Sequence, residues 1–180
     1  MAITYLGTTA TFRTVGSAGT PQNLFTIENT GGTPVRIRRL VTQLDATAVL
    51  TSVMPLVKTS RATAIPSAGT VLAKGTFDTS LTSNAAVVCR GGTASDGGGL
   101  TAITATAGDV MWQQYCMRMH TIVGQVLGSD NNSLPTLVEN DPVILSSGQA
   151  LLVQVVASAG GSNPATNHWF VQCMWEEGTP

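Results

Sequence analysis

Charge is scarce in this chain of 180 residues. Only 11% of the residues are charged, against roughly 25% in an average globular protein, and the formal net charge is −1. A nearly neutral protein exerts no general attraction on nucleic acids or membrane surfaces, so neither is an expected partner. The chain also lacks the low hydrophobicity and high charge that keep a polypeptide disordered, so we expect it to fold.

Targeting signals and disulfide patterns are missing as well. The first residues, MAITYLGTTATFRTV, have no basic segment followed by a long apolar one, so they are not a signal peptide. No run approaches the roughly 18 apolar residues of a transmembrane helix. The three cysteines, Cys89, Cys116 and Cys173, lie in apolar runs without CxxC spacing. They predict buried free thiols, which favours synthesis in a reducing cytoplasm.

Groups for catalysis or metal binding are sparse. His120 and His168 are the only histidines, and neither lies in a zinc-binding spacing. There is no GxSxG elbow, and the acidic residues are scattered. The glycine-rich stretch 91–99 lacks the Lys-Ser/Thr of a phosphate loop, and residues 129–133 lack the acidic spacing and distal Glu of a calcium loop. The sequence therefore predicts no enzyme, no cofactor and no metal.

What the chain does have is turn chemistry between short apolar runs. It contains 19 Gly and 8 Pro, with many Thr and Val, whose branched side chains favour strands. No segment shows helical periodicity with caps. About eight to ten short strands separated by such turns predict an all-β, antiparallel, jelly-roll-like β-sandwich. Residues 1–20 are an N-terminal arm or a first strand, and residues 21–180 form a single β-sandwich domain.

The stretch from Gln149 to Glu177 shows the clearest alternation. Two apolar runs flank a loop of small and polar residues, which predicts an antiparallel pair. In the second run the odd positions share one face of the strand and predict a core; they are Trp169, Val171, Cys173 and Trp175. The other face is mixed, and its Phe170 and Met174 are candidates for a subunit contact.

The strand from Val35 to Leu44 changes phase in its middle. Val35 and Ile37 have one parity, whereas Leu40, Thr42 and Leu44 have the other. One extra residue in a strand reverses which face points inward, so the pattern predicts a β-bulge at Arg38 and Arg39.

Arginine dominates the basic residues and marks a candidate interface. Only Lys58 and Lys74 of the nine basic residues are lysines, and Arg is enriched at protein interfaces where Lys is depleted; genomic GC content would give the same bias. The cluster of Arg36, Arg38 and Arg39 could bind a phosphate or an acidic partner, form ion pairs within an oligomer, or line a solvated edge. A protein interface is favoured over nucleic acid, because one small cluster in a neutral protein is a poor electrostatic footprint. The candidate interface residues are Arg13, Arg36, Arg38, Arg39, Phe170 and Met174.

Two segments carry apolar residues on both faces, so a second layer is expected to cover the face that points away from the core. Phe170 and Met174 form one such face, and the run from Val110 to His120 carries large residues on both sides. A second copy in a homo-oligomer would cover them, and so would a loop of the same chain.

Three stretches together carry a family resemblance: IENTGGTPVRIRRLVTQLDATAVLTSVMPLVKTSRAT, RMHTIVGQVL and HWFVQCMWEE. They resemble small β-sandwich virion proteins of tailed bacteriophages, which are often head decoration (cement) proteins. The resemblance implies a jelly-roll-like homotrimer on the outer surface of the virion capsid, assembled in the host cytoplasm, whose partner is the major capsid protein. It would clamp neighbouring capsid subunits, and an arm of residues 1–20 would reach a neighbour. The family offers no fixed motif, so no functional residue is carried over.

A second function from another class remains open. β-Sandwiches also serve as glycan- or receptor-binding modules of phage tails and fibres. The three Trp residues, Trp112, Trp169 and Trp175, could stack on sugars, although two of them lie on the predicted core face.

Overall fold

The computed structural model describes residues 3–8, 13–14, 21–46, 56–76, 80, 85–92, 103–115, 132–133, 143–156 and 167–178. Within these residues every regular element is a β-strand, and all pairings are antiparallel, which confirms the all-β prediction. The longer strands are β1 (Ile3–Thr8), β3 (Gln22–Asn29), β4 (Val35–Ala46), β5 (Leu56–Ala62), β9 (Val87–Gly91), β11 (Ala107–Tyr115), β14 (Gln149–Val156) and β15 (Asn167–Glu177).

Seven further strands have only two or three residues. They are β2 (Arg13–Thr14), β6 (Ser67–Ala68), β7 (Thr70–Val71), β8 (Lys74–Thr76), β10 (Ile103–Thr104), β12 (Asn132–Ser133) and β13 (Val143–Leu145). The expected number of about eight to ten strands is therefore too low. An element of only two residues carries too little alternation for a hydrophobic pattern to reveal it.

The strands form two main sheets and a small ribbon. The seven-stranded sheet has the order β12-β4-β15-β1-β8, with β13 also pairing to β4 and β2 to β15. The six-stranded sheet has the order β11-β5-β14-β3-β9-β7. Strands β6 and β10 pair only with each other among the described residues, and we call this pair the ribbon.

One hydrophobic core lies between the two main sheets. The seven-stranded sheet contributes Val35, Ile37, Leu40, Leu145, Val171, Cys173 and Trp175, and the six-stranded sheet contributes Leu24, Phe25, Ile27, Val57, Val87, Cys89, Leu151, Val153 and Val155. Two antiparallel sheets that share one buried layer are a β-sandwich. The jelly-roll arrangement remains a prediction.

The predicted pairing of β14 with β15 is wrong. Strand β14 pairs with β3 and β5 in the six-stranded sheet, whereas β15 pairs with β4, β1 and β2 in the other sheet. The two strands therefore lie in different sheets on opposite sides of the core. Ten residues separate them, and a connection of that length can cross from one sheet to the other, unlike the two-to-five-residue loop of a hairpin.

The bulge predicted in β4 is confirmed. The register with β15 shifts between Met174, which lies opposite Arg39, and Trp175, which lies opposite Ile37, so Arg38 is the extra residue. Ile37 and Leu40 are both buried on the core side of the bulge. One inserted residue thus lets both halves of a long strand pack inward.

The start of the chain belongs to a sheet. Strand β1 lies between β15 and β8, and β2 pairs with β15 at His168 and Trp169. Of the two alternatives for residues 1–20, the described part is strand, and an arm that reaches a neighbour is wrong for Ile3–Thr8. Backbone groups already paired on both sides are not available to another molecule.

Candidate interface on the outer face of the seven-stranded sheet

Strand β4 carries three arginines to the outer face of the seven-stranded sheet. Arg39 lies opposite Met174, and Arg36 lies opposite Glu176 on one side and Ile144 on the other. Directly opposed residues of antiparallel strands share a face. The neighbours of Met174 and Glu176 along β15 are buried in the core, so this row points away from it. We call the group Arg36, Arg38, Arg39, Ile144, Met174 and Glu176 the arginine face.

Among the described residues, Arg38 at the bulge forms the only ion pair of the arginine face. Its Nη2 atom lies 2.5 Å from Oε2 of Glu176, and the two side chains are 34% and 17% exposed. An ion pair this exposed contributes at most about 1 kcal/mol to folding. Its main effect is to occupy the single carboxylate of the group.

Two arginine nitrogens of the arginine face are shielded from water and lack an acceptor. The Nε atoms of Arg36 and Arg38 are both buried without a hydrogen-bond partner. A buried donor left unpaired costs about 1–3 kcal/mol. Arg36 makes no ion pair or side-chain hydrogen bond within the described part of the chain, and its charge is therefore available.

Apolar side chains border these arginines. Ile144 is 41% exposed, and Met174 is partly exposed. Sequence reasoning missed Ile144, which lies in the three-residue strand β13. The signal that could have found it is the alternation of VIL, because a buried Leu145 places Ile144 on the opposite face.

Four of the six predicted interface residues are brought together here: Arg36, Arg38, Arg39 and Met174. Phe170 lies four residues before Met174 on β15, opposite Gln43, and so occupies the same row by register. Arg13 lies on β2 opposite Trp169, which has the odd parity of the core row. The register therefore does not place Arg13 in the row of Met174.

A second cluster of polar residues occupies the outer face of the six-stranded sheet. Glu28 is only 1% exposed, and its Oε1 atom accepts hydrogen bonds from Nε of Arg90 at 2.7 Å and from Oγ1 of Thr26 at 3.2 Å. Leu152 and Ser60 are fully buried on the same face. The part of this face around Glu28, Leu152 and Ser60 is covered, although sequence reasoning identified no site there.

The ribbon lies against this second face. Nδ2 of Asn23 donates to the carbonyl oxygens of Ile103 at 2.9 Å and Ala105 at 3.3 Å, and Nη1 of Arg90 donates to that of Ala68 at 3.3 Å. Gly69 has a φ of 78°, and a Cβ atom there would lie 2.7 Å from Cγ1 of Ile103. Only glycine fits this turn, which brings the ribbon close to the sheet.

The described cysteines are buried free thiols, as predicted for Cys89 and Cys173. Burial raises the pKa of Cys89 from 9.0 to about 12, with a smaller lowering by Lys74. Burial likewise raises the pKa of the Cys173 thiol, and neighbouring Cys89 adds to the effect. A thiol held in its protonated form is a poor nucleophile and a poor metal ligand. Cys116 lies outside the described residues.

The other candidate groups do not assemble in the described part of the structure. His168 lies opposite Asp45 and Thr14 by register, and His120 is outside the described residues. So are most of the loops 91–99 and 129–133. No group of three His, Cys, Asp or Glu residues that could hold a metal occurs among the residues described. No helix long and apolar enough to cross a membrane occurs there either.

Comparison of the chain with protein-family models, with curated proteins and with solved structures gives no significant match.

Proposed function

We propose that the protein is a structural subunit of a tailed-phage virion that binds the outside of the head and stabilises contacts between major capsid proteins. The observation that carries the proposal is the arginine face, an open sheet surface with charged and apolar side chains on a rigid β-sandwich. The resemblance to decoration proteins supplies the partner. In this proposal the protein is not an enzyme.

The geometry of the arginine face suits docking. Arg and Met, both present on this face, are enriched at protein interfaces relative to the rest of the protein surface. The side chains of the arginine face lie on β4, β13 and β15, whose opposite faces carry Ile37, Leu145 and Trp175 of the core. A surface on such a base loses little conformational freedom when it binds, because its backbone is already ordered.

The proposed assembly is a jelly-roll-like homotrimer. Three copies present three arginine faces to the capsid lattice, so weak single contacts combine into firm attachment. Because β1 lies inside the seven-stranded sheet, docking is assigned to the sheet face and not to an N-terminal arm.

Copy number and location in purified particles test this proposal. We expect hundreds of copies on the head, and lower resistance to heat in particles that lack the protein. Adding back purified protein should restore that resistance. Arg39→Glu should weaken the add-back by reversing an exposed charge of the arginine face, whereas Lys58→Glu on the other sheet should not. A few copies confined to the tail would contradict the proposal.

A glycan- or receptor-binding module of a tail or fibre is the second candidate. Trp112 is partly exposed on β11, at the edge of the six-stranded sheet beside the exposed Val110 and Met111, and could stack on a sugar. Trp175 is fully buried and donates its Nε1 hydrogen to Glu177 at 3.0 Å, so a sugar-stacking role for it is wrong. A glycan array probed with wild-type protein and with Trp112→Ala tests this candidate.

A further inference from the structure

We infer that the arginine face binds carboxylates of an extended acidic protein segment, with Arg36 as the anchoring residue. The inference rests on the proposed function in one respect, because the segment would then belong to the major capsid protein. It names the chemistry of the partner, which the fold and the resemblance leave open.

Charge is the first argument. The arginine face carries three guanidinium groups and one carboxylate, Glu176, which is engaged by Arg38. Among the described residues, Arg36 and Arg39 therefore leave a local excess of positive charge, although the whole chain has a net charge of −1. An acidic partner is complementary to that excess and would be steered towards it.

The unpaired Nε atom of Arg36 is the second argument. A guanidinium group binds a carboxylate with two parallel hydrogen bonds, and one common arrangement uses Nε together with an Nη atom. Nε of Arg36 is buried and has no acceptor, and the side chain is partly exposed. A carboxylate reaches this Nε atom only after the side chain turns to expose it, and binding would then supply the missing acceptor.

The spacing of the two available arginines restricts the shape of the partner. Arg36 and Arg39 lie opposite Glu176 and Met174, which are two residues apart on β15. Two residues of a strand span about 7 Å. An extended segment with acidic residues at positions i and i+2 places two carboxylates on one face at the same spacing. Its apolar atoms would then contact Ile144 and Met174.

The same surroundings argue against a nucleic-acid phosphate. Nucleic-acid sites extend a positive field over many Lys and Arg residues. Here Glu176 lies directly opposite Arg36, and the exposed Ile144 lies on its other side. Two available arginines bordered by apolar side chains suit a protein segment.

A titration followed by NMR at the arginine Nε–H signals tests the inference on the full chain. The probe is a blocked peptide, Thr-Glu-Thr-Glu-Thr, and the controls are the same peptide with Gln in place of Glu, inorganic phosphate and a short single-stranded oligonucleotide. Wild-type protein alone is informative, so the test does not depend on the folding of a variant. We expect the Glu peptide to move the Arg36 and Arg39 signals and leave those of Arg61 and Arg90 in place.

Variants then measure the contribution of each charge. Arg36→Gln should lower the affinity for the Glu peptide about tenfold, the effect of losing one charge-assisted contact. Lys58→Gln removes one positive charge from the other sheet and should leave the affinity unchanged. Equal binding of the Gln peptide, tighter binding of phosphate or oligonucleotide, or an equal loss in both variants would overturn the inference.

Failure of this inference is distinguishable from failure of the proposed function. Abundant protein on phage heads with no peptide response at Arg36 overturns the carboxylate site and leaves the virion role standing. A response at Arg36 in a protein that is absent from heads supports the site and removes the virion role.

Discussion

The two outer faces of the sandwich each carry an Arg–Glu pair, and the pairs differ in what covers them. Arg38 and Glu176 are 34% and 17% exposed on the seven-stranded sheet, whereas Arg90 and Glu28 are 22% and 1% exposed beneath the ribbon. Glu28 also accepts a hydrogen bond from Thr26. Glu176 accepts one from Arg38 alone among the described side chains.

The role of such a pair therefore depends on how far it is covered from solvent and not on its residue types. Beneath the ribbon the charges have lost most of their water, so each depends on its partner and the pair fixes the strand arrangement. On the arginine face, breaking the Arg38–Glu176 pair costs little folding free energy. Its neighbours Arg36 and Arg39 make no ion pair among the described residues. The ribbon covers the Arg90–Glu28 pair, whereas no described element covers the Arg38–Glu176 pair to the same degree.

The largest expected effect comes from breaking the covered pair. Arg90→Ala leaves the buried carboxylate of Glu28 without its cation, and we expect a loss of about 3–5 kcal/mol in the free energy of unfolding. Denaturation in urea measures it. The matched variant Arg38→Ala should change the same quantity far less, and equal losses in the two variants would refute the comparison.

Weakening the contact between the ribbon and the sheet should make the two Arg–Glu pairs respond more alike to mutation. Ile103→Ala takes away the buried side chain of the ribbon and should cost about 2–3 kcal/mol, towards the lower end for a core residue. In that background Arg90→Ala should cost less than it does alone, because water reaches Glu28. A double-mutant cycle measures this coupling, and strict additivity would show that the ribbon does not shield the pair.

The buried thiol of Cys89, in the core that both sheets share, gives a smaller expected effect on stability. Because burial raises the pKa of Cys89 to about 12 from 9.0, the folded protein keeps a proton that the unfolded chain releases. Stability should therefore be unaffected by this thiol below pH 9 and fall as the pH rises from 9 towards 12. Between pH 9 and 10 the loss is about 1 kcal/mol for this thiol.

Unfolding measured at both pH values in wild type and Cys89→Ala isolates that contribution. The variant should show a shallower decline, whatever its stability at pH 7. A decline of equal steepness in both proteins would mean that the thiol titrates normally in the folded state.

The smallest expected effect is on the open face. Arg38→Ala should change the free energy of unfolding by at most about 0.5 kcal/mol, because the ion pair is exposed and the variant also removes a buried Nε atom that lacks an acceptor. Thermal unfolding at low and high salt checks this. A large loss that disappears at high salt would show that the pair holds β4 to β15.

Sequence patterns predicted the features of the molecule that depend on neighbours along the chain. The parity change around Arg38 was sufficient to predict the bulge, and the odd positions of β15 predicted a core face that includes Val171, Cys173 and Trp175. Both inferences use only the two-residue period of a strand. That information is local and is contained in the sequence.

Features that depend on which strands meet were harder to predict. The pairing of β14 with β15 followed from their closeness in sequence, yet the connecting residues carry the chain to the other sheet. Arg90 and Glu28 are 62 residues apart, and neither lies in a motif. Nothing local indicates that the ribbon will cover them, so the second polar cluster could not be inferred.

The candidate interface could be predicted in part from the sequence. A cluster of three arginines on one strand was visible in the sequence, and the bulge that turns Arg38 towards Glu176 was expected. The contribution of Ile144 from β13 and the engagement of Glu176 became clear only with the register. The sequence identified the residues, and the structure supplied their partners.

The position of β15 in the middle of the seven-stranded sheet has a kinetic consequence. Arg38 and Glu176 are 138 residues apart in the chain, so β4 leaves the ribosome long before the strand that pairs with it. Until β15 arrives, β1 and β4 each expose an unpaired edge and an apolar row that includes Val35 and Ile37. Edges left open in this way invite pairing between nascent chains. The fold has a high contact order, because its pairings join residues far apart in the chain. It therefore predicts slow folding and a yield that depends on the rate of synthesis.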